Sequence, residues 1–169
     1  FDYYIQCSRA MMDLLEEYTP DHEKFSIDEI FLDMTHTIHL FGEPLKTADS
    51  IRRRIHRELG FTVNIGIAPN KLLAKMASDF EKPDRCHTLF PQEIPEKMWP
   101  LPIHQLFFVG DSAGRKLENL GIHTIGDLAR CDLSLLKHHL GEKYAVLIHQ
   151  YANGIDPEPV AEREPLNKG

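Results

Sequence analysis

Residues 24–35 read KFSIDEIFLDMT and place the adjacent carboxylates Asp28 and Glu29 within a run of Ile, Phe, Leu and Met. The apolar residues predict a strand over residues 24–34. Successive residues of a strand point to opposite faces of the sheet, so a regular strand would separate the two carboxylates. For both to hold one cation, the backbone must bulge or bend at the pair; otherwise one of them lies unpaired against apolar neighbours, which is costly.

The Asp28–Glu29 pair offers the hard oxygen ligands that Mg²⁺ prefers. This ion is satisfied by one or two carboxylates together with water and substrate phosphates. The pair is therefore a candidate site for a metal-bound triphosphate. The alternative is an exposed strand end that binds nothing, and the pair alone does not decide between the two.

Elements on both sides of this strand follow from hydrophobic periodicity. We predict helices over residues 4–17 and 46–60, the second ended by Gly60, and a half-buried strand over residues 61–68. A third helix begins after Pro69 and Asn70, and a turn and short strand follow in residues 82–90. The alternation of helix and strand predicts an α+β fold, with helices on one face of a mostly antiparallel sheet.

The composition of the sequence and its predicted elements change near Pro91. Residues 91–106, PQEIPEKMWPLPIHQL, contain four prolines, and the sequence from there to Gly154 predicts short helices joined by glycine-containing turns. We therefore place a domain boundary near residue 92.

Residues 109–122, VGDSAGRKLENLGI, are typical of a helix-hairpin-helix motif. Gly110 would allow the tight turn, and the next helix would present free backbone N–H groups to a DNA phosphate without reading base sequence. Gly121 is equally well explained as a helix C-cap. In residues 140–156, a weaker second helix pair, Gly141 marks the turn and Lys143 is a candidate contact to the DNA backbone.

Charge is unevenly distributed. The formal net charge of −7 argues against indiscriminate nucleic-acid binding, yet residues 46–85 carry nine basic and five acidic residues. Lys71 and Lys75 share one helix face, and either could reach a phosphate, although a solvated helix face explains them equally well. Arg52, Arg53, Arg54 and Arg57 are more typical of a solvated helix face than of a phosphate contact.

The cysteines indicate a reducing compartment. Cys7, Cys86 and Cys131 are far apart and lack C-x-x-C spacing, so we expect free thiols and a cytoplasmic protein. No apolar run is long enough for a membrane span, and the first residues lack the pattern of a signal peptide.

Three segments together resemble one family. SIDEIFLD (residues 26–33), NIGIAPNKLLAKMASDFEKPD (64–84) and LFFVGDSAGRKLENLGIHTIGDLA (106–129) resemble the palm and thumb of a Y-family lesion-bypass DNA polymerase of the UmuC/DinB kind. The resemblance covers nearly the whole chain. It implies a ferredoxin-like palm over residues 1–91, a thumb over 92–158 and a linker over 159–169 toward a further DNA-binding domain.

The resemblance also implies roles for single residues. Asp28 and Glu29 match the pair that ligates two catalytic Mg²⁺ ions, for which Mn²⁺ can substitute, and that helps to activate the primer 3′-hydroxyl. Lys82 matches a lysine that contacts the incoming dNTP, and Asp33 has a structural role. The implied partners are primer–template DNA and, through a region outside the chain, a sliding clamp. Among the residues considered above, Gly110, Lys143 and Lys75 are the expected DNA contacts.

The chain departs from the family pattern in two ways. Asp111 follows Gly110, where the family often has a basic or neutral residue, and this acid weakens the expected phosphate contact. A strand of the D-x-D type with a further carboxylate is missing from the sequence. We therefore expect a fragment that does not extend primers by itself and that exposes a sheet edge.

Two other functions fit part of the pattern. A non-catalytic DNA-binding module could depend on the helix-hairpin-helix alone, with the α+β part as a scaffold. A palm-like enzyme such as a nucleotide cyclase could use the same carboxylates on a triphosphate without a template, although the helix-hairpin-helix argues against it.

Overall fold

A computed structural model describes residues 2–161, which form two compact units. The first, here called the hairpin unit, contains residues 2–65, 81–86 and 158–161. The second, here called the helical unit, contains residues 66–80 and 87–157. The α+β class is confirmed, whereas the division into a palm and a thumb near residue 92 remains a prediction.

The hairpin unit is built on two helices, α1 (Asp2–Glu16) and α2 (Pro44–Leu59), as the periodicity predicts. Glu43 is the N-cap of α2, and its carboxylate accepts the backbone N–H groups of two residues in the first turn. Gly60, with a φ of 80°, ends it in the left-handed conformation that favours glycine. The two helices and the loop after α1 bury one small cluster, which consists of Met11, Leu14, Leu15, Tyr18, Ile51 and Ile55.

The single strand predicted over residues 24–34 is wrong. The chain forms two antiparallel strands, β1 (His22–Ser26) and β2 (Glu29–Leu32), joined by a turn at Ile27 and Asp28. The two consecutive acids interrupt the apolar alternation, and a turn leaves them accessible to water instead of burying one of them. The backbone therefore bends at the carboxylate pair, which is the condition for the two side chains to act together.

A second strand pair consists of β3 (Ile65–Ile67) and β4 (Cys86–Thr88). Hydrogen bonds from Ile65 N to Arg85 O and from Leu89 N to Ile67 O show that the two strands run parallel. Within residues 2–161 the strands thus form two two-stranded sheets. The predicted single, mostly antiparallel sheet is not found there, and β3 is shorter than the strand predicted over residues 61–68.

Helix α3 (Lys71–Ser78) begins where the sequence predicts. The side chain of Asn70 is its N-cap and accepts the backbone N–H of Leu73 at 2.9 Å. Gly66 allows β3 to approach this helix closely, because a Cβ at that position would lie 1.9 Å from the carbonyl oxygen of Ala74. Glycine is therefore required at position 66 by packing.

The rest of the helical unit consists of short helices, as predicted. Among residues 2–161, none of the helices combines the length and the apolar character that a membrane span requires. The helices are α4 (Ile94–Lys97), α5 (Asp111–Asn119), α6 (Ile125–Arg130), α7 (Leu133–Leu140) and α8 (Glu142–Ala152). Nineteen buried residues of the described chain form one core here, including Leu73, Met98 and Leu128. Trp99 adds a hydrogen bond from its indole N–H to the carbonyl of Ala152 at 2.9 Å.

The turns of the helical unit follow the sequence only in part. Gly121 (φ 82°) and Gly141 (φ 85°) have the left-handed φ values that favour glycine, and Gly121 follows the end of α5 as a C-cap residue. Tyr151 is buried near the end of α8, whereas the chain turns after this helix and leaves Ile155 52% exposed.

Candidate functional site

The turn between β1 and β2 brings the two predicted metal ligands to one hydroxyl group. Ser26 Oγ lies 2.8 Å from Asp28 Oδ1 and 3.2 Å from Glu29 Oε2. Ser26 pairs with Glu29 across the hairpin, while Asp28 occupies the turn. The carboxylates therefore lie on the same side of the turn, and Ser26 positions both. In the sequence, the signal for this role is a serine two residues before one carboxylate and three residues before the other.

The geometry of the pair suits a hydrated cation. Asp28 is exposed and Glu29 is half-buried, so the oxygen atoms are accessible to water and to phosphate. Within residues 2–161, no group of three or more His, Cys, Asp or Glu side chains could hold a metal ion. Two carboxylates nevertheless fit Mg²⁺, which commonly takes its other ligands from water and substrate phosphates.

Asp33, the third carboxylate of residues 24–35, forms hydrogen bonds with a neighbouring residue. Its Oδ1 accepts hydrogen bonds from the backbone N–H of Thr35 at 2.9 Å and from the hydroxyl of Thr35 at 2.5 Å. The hydroxyl bond is the main reason that the pKa of Asp33 lies below its usual range. The carbonyl of Asp33 also accepts the hydroxyl of Thr19 at 2.7 Å. These contacts agree with the structural role expected for Asp33.

Lys82, the predicted triphosphate contact, lies exposed in the turn before β4. Asp84 follows it in this turn with a φ of 60°, and its carboxylate accepts a hydrogen bond from Arg52 Nη1 at 2.8 Å. Arg52 also contacts Asp49 at 2.7 Å, and the side chain of Arg52 is only 18% exposed. The Lys82 turn is thus tied to α2.

Arg52 was not recognised in the sequence as a positioning residue. Its hydrogen bonds to Asp84 and Asp49 raise the pKa of Arg52 further, and its hydrogen bond to Asp49 lowers the pKa of that carboxyl. A sequence shows the i,i+3 spacing to Asp49, but the partner 32 residues away is invisible without the fold.

The basic excess of residues 46–85 is largely neutralised within the structure. Lys75 Nζ lies 3.4 Å from Asp79 Oδ2, and its side chain is 18% exposed, which counts against a free phosphate contact. Arg53 pairs with Asp49 at 3.0 Å, and Arg54 pairs with two glutamates, Glu17 and Glu58. These ion pairs favour a helix face over a phosphate contact for Arg53 and Arg54.

Two of the three predicted DNA contacts in the helical unit, Gly110 and Lys143, lie at helix starts. Gly110 is the N-cap of α5, which has no side-chain cap, and Lys143 is exposed in the first turn of α8. The φ of Gly110 is −82°, which any residue adopts, so the predicted need for glycine in a tight turn is not met there. The residue with positive φ is instead Phe108, at 75°.

The start of α3 is occupied by the chain itself. Asn70 Nδ2 donates to the carbonyl of Gly154 at 2.9 Å, and Asp156 Oδ2 accepts the backbone N–H of Leu72 at 3.1 Å. Asp156 thus stabilises the helix start electrostatically. Sequence reasoning missed this role, because the two hydrogen-bonded pairs are each separated by 84 residues.

The predicted site residues fall into two sets. Asp28, Glu29 and Lys82 belong to the hairpin unit, and Ser26 brings the first two together. Lys75, Gly110 and Lys143 belong to the helical unit. The first set offers ligands for a cation and a triphosphate, and the second offers backbone N–H groups and one exposed cation.

Comparison with family models gives two matches. Residues 1–79 match the impB/mucB/samB family, and residues 105–156 match the thumb domain of DNA polymerase iota. The first match contains the carboxylate pair, and the second contains the turn before α5 and the whole of α8.

Curated relatives and solved structures agree with these matches. DNA polymerase IV of Clostridium acetobutylicum is 48% identical over 161 residues, covering 95% of this chain and 40% of that protein. DNA polymerase IV 1 of Bacillus subtilis is 46% identical over 160 residues, with 38% of that protein covered. DinB from Sulfolobus solfataricus superposes with a TM-score of 0.84 at 30% identity, over 95% of this chain and 48% of that one. The chain thus spans about 40% of the length of the curated relatives that it matches.

Proposed function

Because the chain belongs to the Y-family of DNA polymerases, we propose that it supplies the metal-binding carboxylates and the DNA-gripping thumb of an enzyme that copies DNA past damaged template bases. The observation that carries this proposal is the bend at Asp28, where one hydroxyl contacts both carboxylates. Relatives named DNA polymerase IV support the reaction class.

In this proposal Asp28 and Glu29 hold two Mg²⁺ ions, or Mn²⁺ in their place. When bound, such ions would stabilise the attacking 3′-oxygen of the primer and the leaving oxygen of pyrophosphate as the nucleotidyl group passes from dNTP to the primer. Ser26 keeps the two carboxylates on one side of the turn. Lys82 contacts the triphosphate from a turn that Arg52 and Asp84 fix, so its task is to orient the nucleotide.

The proposed partners are primer–template DNA and dNTP, and a sliding clamp through a region outside the chain. A solved relative, 30% identical with a TM-score of 0.84, is titled an insertion ternary complex of the DNA polymerase Dbh, which supports the first two. Lys143 and the uncapped start of α5 at Gly110 contact the DNA backbone, which suits an enzyme that must accept every sequence. Lys75, which pairs with Asp79, contributes only if DNA displaces that ion pair.

A graft into a complete relative tests the proposal. The 161 matched residues of the Clostridium acetobutylicum polymerase are replaced by the corresponding residues of this chain, and primer extension opposite a damaged base is measured. We expect the graft to extend primers, and Glu29→Gln in it to lower kcat/KM by about 10³-fold or more, since a ligand charge is lost at nearly constant volume.

Asp33→Asn is the matched control, because it neutralises a carboxylate of the same stretch that holds only local hydrogen bonds. We expect its activity to stay within about threefold of the parent graft. Full activity of the Glu29→Gln graft, or an inactive but folded parent graft, would contradict the proposal.

A non-catalytic DNA-binding module remains the second candidate. It is favoured by the helical unit, which encloses its helix-hairpin-helix in a core of its own. This candidate predicts that the chain binds duplex DNA equally well with Mg²⁺ or with a chelator. It also predicts an inactive parent graft that still binds DNA.

A further inference from the structure

The turn before α5 carries an unusual residue, Phe108. Its φ is 75°, in the left-handed region that bulky side chains rarely adopt, and its side chain is 57% exposed. An aromatic residue is costly in both respects.

Three contacts fix the backbone and the ring of Phe108. The hydroxyl of Tyr144, on α8, donates to the carbonyl oxygen of Phe108 at 2.5 Å. The ring of Phe107 packs edge-on with centroids 4.9 Å apart, and the ring of Tyr151 does so at 6.1 Å. The ring is thus presented to solvent from a fixed position, which removes the entropic cost of ordering it on binding.

Exposed basic side chains lie on the two helices that neighbour the Phe108 turn. Lys143 precedes Tyr144, the residue that holds Phe108, and Arg115 and Lys116 follow on α5. Asp111 and Glu142, in the first turns of α5 and α8, oppose phosphate binding at the helix starts themselves. An exposed apolar ring with exposed cations on both neighbouring helices fits the backbone of DNA, in which apolar sugars alternate with phosphates.

We propose that Phe108 packs against the deoxyribose rings of duplex DNA while Lys143 and Arg115 contact the flanking phosphates. The proposal depends on the DNA binding proposed above and adds an apolar contact to it. Sugars lie between successive phosphates on every strand, so the contact is independent of base sequence. It also compensates for Asp111, because an apolar contact needs no anion at the helix start.

The test is the affinity of the 169-residue chain for a fluorescein-labelled primer–template duplex, measured by anisotropy at several salt concentrations. Phe108→Gly suits the left-handed backbone, so we expect its Tm to match the parent. We expect the affinity to weaken by about tenfold, because apolar surface is lost. The slope of log K against log salt should stay unchanged, because no charge is lost. Lys143→Ala should instead lower the slope of log K against log salt by about one.

Leu135→Ala is the control, because it removes another exposed apolar side chain, from α7, and should leave affinity unchanged. If Phe108→Gly fails to fold, Phe108→Asn replaces it, since asparagine also tolerates positive φ. Parent-like affinity of the glycine variant, or a reduced salt slope, would overturn the role of Phe108 and leave the proposed DNA binding intact. A parent chain that does not bind the duplex would overturn both.

Discussion

The hairpin unit and the helical unit differ in how much apolar surface supports them. Six buried residues form the core of the hairpin unit, whereas nineteen form that of the helical unit, both counted within residues 2–161. Every residue of β2 is only half-buried, and a two-stranded hairpin is marginal by itself. The carboxylate pair thus lies on the weaker scaffold, whose order depends on packing against α1 and α2. The geometry of the site is therefore separate from the stability of the unit that carries it.

The largest effect is expected at Gly66, in the better-packed unit. Gly66→Ala would place a Cβ 1.9 Å from Ala74 O and 2.7 Å from Ser78 N, both backbone atoms that cannot move independently of α3. We expect a loss of about 3 kcal/mol or more in the free energy of unfolding, measured by urea denaturation.

Gly110→Ala is the matched control for this substitution. Among the described residues, no heavy atom outside Gly110 and its two chain neighbours lies within 4 Å of the position of an added Cβ, and its φ of −82° suits alanine. We expect a change below about 0.5 kcal/mol. Equal destabilisation by the two variants would contradict the close packing of β3 on α3.

A smaller effect is expected at Arg52, in the hairpin unit. Arg52→Ala leaves Asp84 and Asp49 without their shared partner, and we expect it to destabilise this unit by about 1–3 kcal/mol. Hydrogen exchange should report faster opening of α2 and of the Lys82 turn, with little change in the helical unit. Uniform acceleration across both units would show that they unfold together and would remove the comparison.

The smallest effect is expected at Asp127, in α6. Its carboxylate accepts the backbone N–H groups of His123 at 3.0 Å and Thr124 at 3.1 Å, and these bonds lower the pKa of Asp127 below its ordinary value of 3.8. A lowered pKa stabilises the fold above the unfolded pKa. That contribution is lost as the pH falls from about 4 through the folded pKa.

Asp127→Asn should therefore cost about 0.5–1 kcal/mol at pH 7, and the difference from the parent chain should shrink below pH 4. Thermal unfolding between pH 2.5 and 7 measures this difference. Glu142→Gln, which alters a side chain that is 81% exposed, is the control. A difference that stays constant with pH would show that the charge of Asp127 does not contribute.

Local pattern predicted the helices of the hairpin unit and α3, because apolar spacing and caps such as Asn70 and Gly60 are local signals. The hairpin was missed, because a polar pair inside an apolar run is compatible with both a bulged strand and a turn. The sequence also pointed to Asp28 and Glu29, and there the family resemblance contributed more than the chemistry of two adjacent acids.

The supporting residues of the site were not predictable from sequence. Arg52 and Asp84 are 32 residues apart, and Leu72 and Asp156 are 84 residues apart, so each contact exists only after folding. Phe108 was missed for another reason, because a bulky residue with positive φ is selected by tertiary contacts against its own preference.

The central claim is that Asp28 and Glu29 act together in binding metal ions. Titrating Mn²⁺ into the isotope-labelled chain and recording the broadening of backbone amide NMR signals tests it directly, without requiring activity. We predict that broadening begins at residues 26–30 and is abolished by Glu29→Gln, while Asp33→Asn leaves it unchanged. Broadening centred elsewhere, or unaffected by Glu29→Gln, would contradict the claim.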